Sequence, residues 1–169
     1  MYTKHFLVLA CAVALCACSD KADRTPTALA SPPVTPARTE LAGIVVLSGS
    51  DLAPVYLQTG DGLIPLEGNG ALPMASVLGA EVRVRGTWDA NAALVVETFL
   101  VTAVKGLPVF DGILEVLPDG YAIKLMADGS DHLLAAAPAA LVAHVGARVW
   151  VTDSADPTAI QFGVIVDNQ

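Results

Sequence analysis

Residues 78–84, Leu-Gly-Ala-Glu-Val-Arg-Val, return at 145–151 as Val-Gly-Ala-Arg-Val-Trp-Val, and the two stretches share Gly-Ala-x-Val-x-Val without a gap. Working outward, Asp61-Gly62 falls on Asp128-Gly129 at the same spacing. Small changes of length then bring Tyr56 onto Tyr121, Gly43-Ile44 onto Gly112-Ile113, and Val95-Glu97-Phe99-Val101 onto Ile160-Phe162-Val164-Val166. The stretch from about residue 41 to 167 therefore reads as two copies of one unit. Each copy has only about 65 residues, and domains of that size bury a modest fraction of their surface. The two are expected to pack together, with Thr102 to Pro108 as a short connection.

Within each copy, apolar residues alternate with polar ones in short runs bounded by Gly, Asp, Asn and Pro, the pattern of strands joined by turns. The first copy predicts strands at 43–47, 54–59, 63–67, 81–88 and 94–102, with an insert at 72–78 carrying Leu and Ala at helical spacing. The second predicts strands at 112–117, 120–126, 131–135, 147–152 and 159–166, with the insert at 138–145. Five strands with a helix between the third and fourth resembles the OB-fold, a small partly open barrel. The resemblance covers residues 41 to 167 and implies an all-β chain with short helices, built as two tandem OB-fold-like five-stranded barrels. Module 1 is placed at 40–105 and module 2 at 106–169. An SH3-like barrel or one continuous sandwich is the rival arrangement for the same strands.

Ahead of the repeat, the only long apolar stretch is Phe6 to Ala17. It has about 12 residues where a membrane-spanning helix needs roughly 20. With Lys4 and His5 before it and small residues after it, the stretch has the layout of an export signal. Its ending, Leu15-Cys16-Ala17-Cys18, resembles the lipobox of bacterial lipoproteins. That resemblance implies a signal peptide at 1–17, cleavage before Cys18, and diacylglycerol and palmitate chains on that cysteine. Two or more chains anchor stably, at about 0.8 kcal/mol per buried CH₂. In the lipoprotein family an Asp directly after the cysteine favours the inner membrane; Ser19 here implies the outer membrane, facing the periplasm, with Asp20 one place further on. Cys11 and Cys16 leave with the signal, so Cys18 remains alone and no disulfide framework is expected. From Ser19 to about Thr39, Pro26, Pro32, Pro33 and Pro36 break any regular element. Residues 18–39 are thus expected to be a disordered linker, reaching up to ~60 Å if semi-extended.

Hydrophobic residues make up 54% of the chain, but past the signal they sit in short Ala, Val and Leu runs. The net charge is −8, and loss of Lys4 makes the mature chain slightly more acidic. Phosphate backbones are met by clustered Lys and Arg, so nucleic acid is not an expected partner. Nucleophilic catalysis needs a Ser, Cys or Thr beside an oriented base. The mature chain offers only His132 and His144, without a partner in the sequence. No Cys pair, His-x-x-x-His or twelve-residue calcium loop is present. No catalytic residue, metal or cofactor is therefore expected. A hydrolase would have to use carboxylates such as Asp128 and Asp131 or Glu67 and Asp61. Asp128-Gly129-Ser130-Asp131 could bind calcium weakly, but reads better as a hairpin turn.

Strand alternation puts Val82, Val84, Val149 and Val151 inward and leaves Arg83 and Trp150 on the other face. An outward Trp150 is either covered by the other module or part of a binding surface. OB-folds hold ligands across strands two and three and with the loops joining strands one to two and four to five. In the first copy these loops are 48–53 and 86–91; in the second the first loop shrinks to Pro118-Asp119-Gly120. That points to module 1, with Tyr56, Trp88, Asp51 and Asp89 as candidate ligand-binding residues. The expected role is a non-catalytic envelope lipoprotein, attached to the membrane through Cys18 and binding a protein or glycan. The alternative is an inhibitor or immunity protein against a basic periplasmic cell-wall hydrolase, since opposite charge steers association.

Overall fold

Alternation along the fourth strand of the first copy decides which way it faces: Ala80, Val82, Val84 and Gly86 are buried while Glu81, Arg83 and Arg85 stay exposed. The same logic runs through a computed structural model that describes residues 37–47 and 55–167. The expected export signal, Cys18, the expected linker as far as residue 36, and Asp51 lie outside the described residues. The first copy forms β1 (Arg38–Leu47), β2 (Val55–Thr59), β3 (Gly62–Glu67), a 3-10 helix (Leu72–Val77), β4 (Ala80–Trp88), β5 (Leu94–Val104) and β6 (Leu107–Pro108). The second forms β7 (Phe110–Leu117), β8 (Gly120–Leu125), β9 (Asp131–Leu134), α1 (Ala139–Val142), β10 (Arg148–Val151) and β11 (Phe162–Val166).

Two sheets result, ordered β3-β2-β1-β4-β5-β6 and β11-β10-β7-β8-β9. Leaving aside β6, both follow one order, third strand, second, first, fourth, fifth, with a short helix between the third and fourth, as in the OB-fold. The first closes on itself, because β3 also pairs in parallel with β5 through Leu66↔Leu94 and Glu67↔Val95. The second has no such pairing between β9 and β11 among the described residues, so its barrel stays open along β9. Met74 and Val77 of the 3-10 helix plug the first core beside Leu57, Val84 and Leu94. Leu141 of α1 does the same for Leu114, Ile123 and Val149 in the second.

The repeated glycine before Ile has a steric cause. A Cβ on Gly43 would stand 2.4 Å from the Gln58 carbonyl oxygen, and one on Gly112 would stand 2.2 Å from that of Lys124. In each barrel the first strand crosses its neighbour too closely for any side chain, and the sequence repeats glycine there.

The connection departs from expectation. β5 runs on to Val104, and β6 folds back on it through Ala103↔Pro108 and Val104↔Leu107. Lys105 (φ 52°) and Gly106 (φ 75°) both take positive φ, as a two-residue hairpin of the primed type requires. β1 also starts earlier than predicted, at Arg38, where Glu40 lies 3.4 Å from the Arg83 Nε and 2.9 Å from the Arg85 Nη2 across the sheet.

Residues Thr35–Gln169 form one compact unit, fastened by polar and apolar contacts between the copies. Asp111, only 6% exposed, accepts bonds from Arg148 Nε (2.9 Å), Arg148 Nη2 (2.7 Å) and the Val101 N–H (2.7 Å). Arg148 also donates to the Phe99 carbonyl at 2.7 Å and lies 4.3 Å over the Phe99 ring. Beside this joint, Trp150 packs against Gly163, where a Cβ would meet its indole Nε1 at 2.5 Å. It packs with Ile165 against the first core. Alternation sends Trp150 out of its own barrel, and the other copy covers it.

Candidate binding surfaces

The short β7–β8 turn of the second copy leaves its apolar flanks exposed. Leu117, Pro118 and Tyr121 on one side and Leu133 and Leu134 on the other wall a cleft of about 500 Å³, with Asp119 at its rim. Tyr121 and Leu134 face each other across β8 and β9 and reach into the second core. Leu133 stands on the solvent side of β9 and is 67% exposed. In this fold, that is the face of the second and third strands with the loop from the first to the second.

A second opening, about 540 Å³, lies in the first copy between Trp88, Leu41 and the β2–β3 turn at Thr59–Ile64. Trp88, 42% exposed, closes one wall and Leu63, 58% exposed, another. Of the three described residues expected to form one site, Trp88 lines it and Tyr56 and Asp89 do not. Tyr56 is half-buried on β2 between Val46 and Pro65 and does not line this opening. Asp89 turns its carboxylate on its own loop, accepting from the N–H groups of Asn91 (2.9 Å) and Ala93 (2.7 Å) and from the Asn91 amide (3.2 Å). It shapes the β4–β5 loop that follows Trp88. Asp51 lies outside the described residues.

The histidines have neighbours the sequence could not reveal. His132 stacks on Phe110 with ring centroids 3.6 Å apart, and its Nε2, buried and without a hydrogen bond, is 3.8 Å from Asp153 Oδ2. His144 Nδ1 is 3.8 Å from Asp167 Oδ1. Among the described residues, no hydrogen bond joins a Ser, Thr or Cys side chain to either ring. Asp128 caps its turn by accepting from the Ser130 hydroxyl (2.7 Å) and N–H (2.9 Å). The hydroxyl bond, aided by the N–H, holds the Asp128 carboxyl below its usual value. Thr158 lowers Asp156 in the same way. Among the described residues, no group of three or more His, Cys, Asp or Glu is placed to hold a metal ion.

Charge is unevenly shared. In 107–167, eight carboxylates stand against Lys124 and Arg148, a net of −6; in the described part of 38–105, six stand against four cations, a net of −2. Arg148 is held inside the joint and Lys124 lies 3.8 Å from Glu115, so the second copy is strongly acidic, with Asp119 lining its cleft and Asp131 exposed on β9.

Sequence reasoning did not single out Leu133, Tyr121 or Pro118. The available signal was Asp131-His132-Leu133-Leu134, where the inward pair His132 and Leu134 forces Leu133 outward as an apolar side chain in solvent. No protein-family model, curated protein or solved structure matches this chain.

Proposed function

We propose that this chain is a non-catalytic binding protein of the bacterial cell envelope, held at the outer membrane by lipid on Cys18, with a protein or a glycan as its ligand. The observation that carries this reading is the apolar cleft between the β7–β8 turn and β9. Its size lies within the roughly 300–1,000 Å³ of ligand pockets. Its walls combine exposed Leu133 with Tyr121 and Leu134, whose other faces are fixed in the core, so the surface is rigid before anything binds. Leu133 is not an isolated exposed side chain but joins Leu117, Pro118, Tyr121 and Leu134 in one contiguous apolar lining, the kind of patch that supports an interaction site. The linker would let the two barrels search within ~60 Å of the membrane.

The test is capture from a solubilised envelope extract by the full chain and by its Tyr121→Ala and Leu133→Ala variants. Loss of the same captured species in both variants, with folding intact, is the expected result. Capture unchanged by both would refute this site.

The concentration of negative charge in the second copy favours a second reading, inhibition of a basic cell-wall hydrolase, because complementary charge speeds encounter. Inhibition that weakens steeply between low and high salt supports it; no inhibition across a panel of such hydrolases removes it.

A further inference from the structure

The two barrels differ at one edge. In the first, the outer side of β3 is satisfied by β5 through the parallel pairing at Leu66 and Glu67. In the second, β9 ends the sheet, and its backbone pairs only with β8 among the described residues. The opposite edge, β11, is covered by the first copy, where the Ser76 hydroxyl donates to the Ile165 carbonyl at 3.2 Å. β6, which ends the first sheet, is only Leu107–Pro108, so among the described residues β9 is the edge strand of the second barrel with an open side.

Which groups face that side follows from the register. Leu125 N–H bonds the Ser130 carbonyl at 2.8 Å, and antiparallel pairs alternate between bonded and non-bonded. Ile123↔His132 and Tyr121↔Leu134 are then the bonded pairs, while Asp131 and Leu133 turn their N–H and C=O groups away from β8. Exposed edges are normally blunted by Lys, Pro or a bulge. Asp-His-Leu-Leu is short and carries Asp131, but it has no Lys, Pro or bulge, and its one charge turns away acidic strands rather than basic ones.

We propose that β9 accepts an added strand: an extended, basic segment of a partner protein pairs with the outward groups of Asp131 and Leu133 and sets an apolar side chain into the neighbouring cleft. Such strand addition draws affinity from main-chain hydrogen bonds and selectivity from pockets for alternate side chains. Charge selects the occupant. Asp131 lies on the strand, Asp128 and Asp119 lie in the turns at its two ends, and Asp153 approaches His132 from the β10–β11 loop. A second copy of this chain, with the same −6 surface, would be repelled; a segment alternating Lys or Arg with Val or Leu would be drawn in. This proposal rests on the binding role above and names the kind of partner that role serves.

The probe is the blocked peptide Lys-Val-Lys-Val-Lys-Val-Lys, titrated against the full chain by fluorescence anisotropy, with hydrogen exchange read at single amides. Binding should slow exchange at Asp131 and Leu133 at least tenfold. The peptide with Glu for every Lys should bind at least tenfold more weakly. Leu133→Pro deletes an outward N–H and leaves the bonds between β8 and β9 in place, so it should lower affinity at least tenfold. N-methylation of alternate peptide bonds in the probe should do the same on the unaltered protein, which covers the case in which the proline variant fails to fold. Equal affinity for the methylated probe, equal affinity for the Glu peptide, or no protection at Asp131 and Leu133 overturns the proposal. An envelope partner whose capture survives Leu133→Pro overturns strand addition and leaves the binding role standing.

Discussion

Removing Asp111 tests whether the two barrels are one mechanical unit. Its carboxylate is 6% exposed and receives three bonds, two from Arg148 and one from the Val101 N–H. In Asp111→Ala the Arg148 guanidinium, 13% exposed, loses its counter-charge and keeps only the Phe99 carbonyl and ring. Breaking a buried pair by deleting one partner costs about 3–5 kcal/mol, because the remaining charge is left desolvated. For a unit the size of Thr35–Gln169, about 2.1 cal/mol/K of unfolding entropy per residue turns that loss into a fall in Tm of roughly 11–18 °C. Arg148→Lys keeps the charge but not the planar fork that bonds both carboxylate oxygens, and should recover less than half of the loss. The double variant Asp111→Leu/Arg148→Met should be more stable than Asp111→Ala alone, since a buried pair replaced by apolar groups leaves no orphaned charge. Differential scanning calorimetry reads all three. A fall below 3 °C for Asp111→Ala, or a double variant no better than the single, would refute the claim that this pair fastens the copies.

The close strand crossings predict that Gly112→Ala is worse than Gly163→Ala. The first drives a methyl into the Lys124 carbonyl, whereas the second meets the Trp150 indole, a side chain that can shift, at about 1–3 kcal/mol of overpacking; urea unfolding compares them. Asp128 is held below its usual value chiefly by the Ser130 hydroxyl. Its hydrogen bonds therefore contribute fully above the unfolded carboxylate value of 3.8 and are lost as pH falls through the lower folded value. Asp128→Asn should flatten that part of the Tm-against-pH curve below pH 4 and leave the Tm dependence between pH 6 and 8 unaltered. Cys18→Ser should move the protein from the membrane pellet to the soluble periplasmic fraction, read by fractionation and by the mass of the mature chain.

The strand order was legible because the repeat fixed it twice: Gly-Ala-x-Val-x-Val marks the fourth strand of each copy, and the Asp-Gly turns mark the second hairpin. The edges of elements were less legible. β1 gains Arg38–Ala42 through pairing with β4 and the ion pairs of Glu40, neither of which leaves an apolar alternation. The joint was hidden altogether. Asp111 reads as one more polar residue near a turn, and Arg148 as a strand residue where the first copy has Glu81; only the packing of one barrel on the other makes them a buried pair. The candidate site suffered from the same blindness. Loop length directed attention to Trp88 and Asp89, but Asp89 serves its own turn, whereas the open backbone edge beside Leu133 depends on β9 lacking the closing partner that β3 has. Whether a barrel closes is a long-range property that local alternation does not carry.

The proposed role of this protein is binding through the open side of its second barrel. The most direct measurement is hydrogen exchange on the full chain with and without solubilised envelope extract. Slowed exchange in 117–121 and 131–135, with 86–93 unchanged, is the result this structure predicts. Protection confined to the Trp88 loop, or protection nowhere, would contradict it.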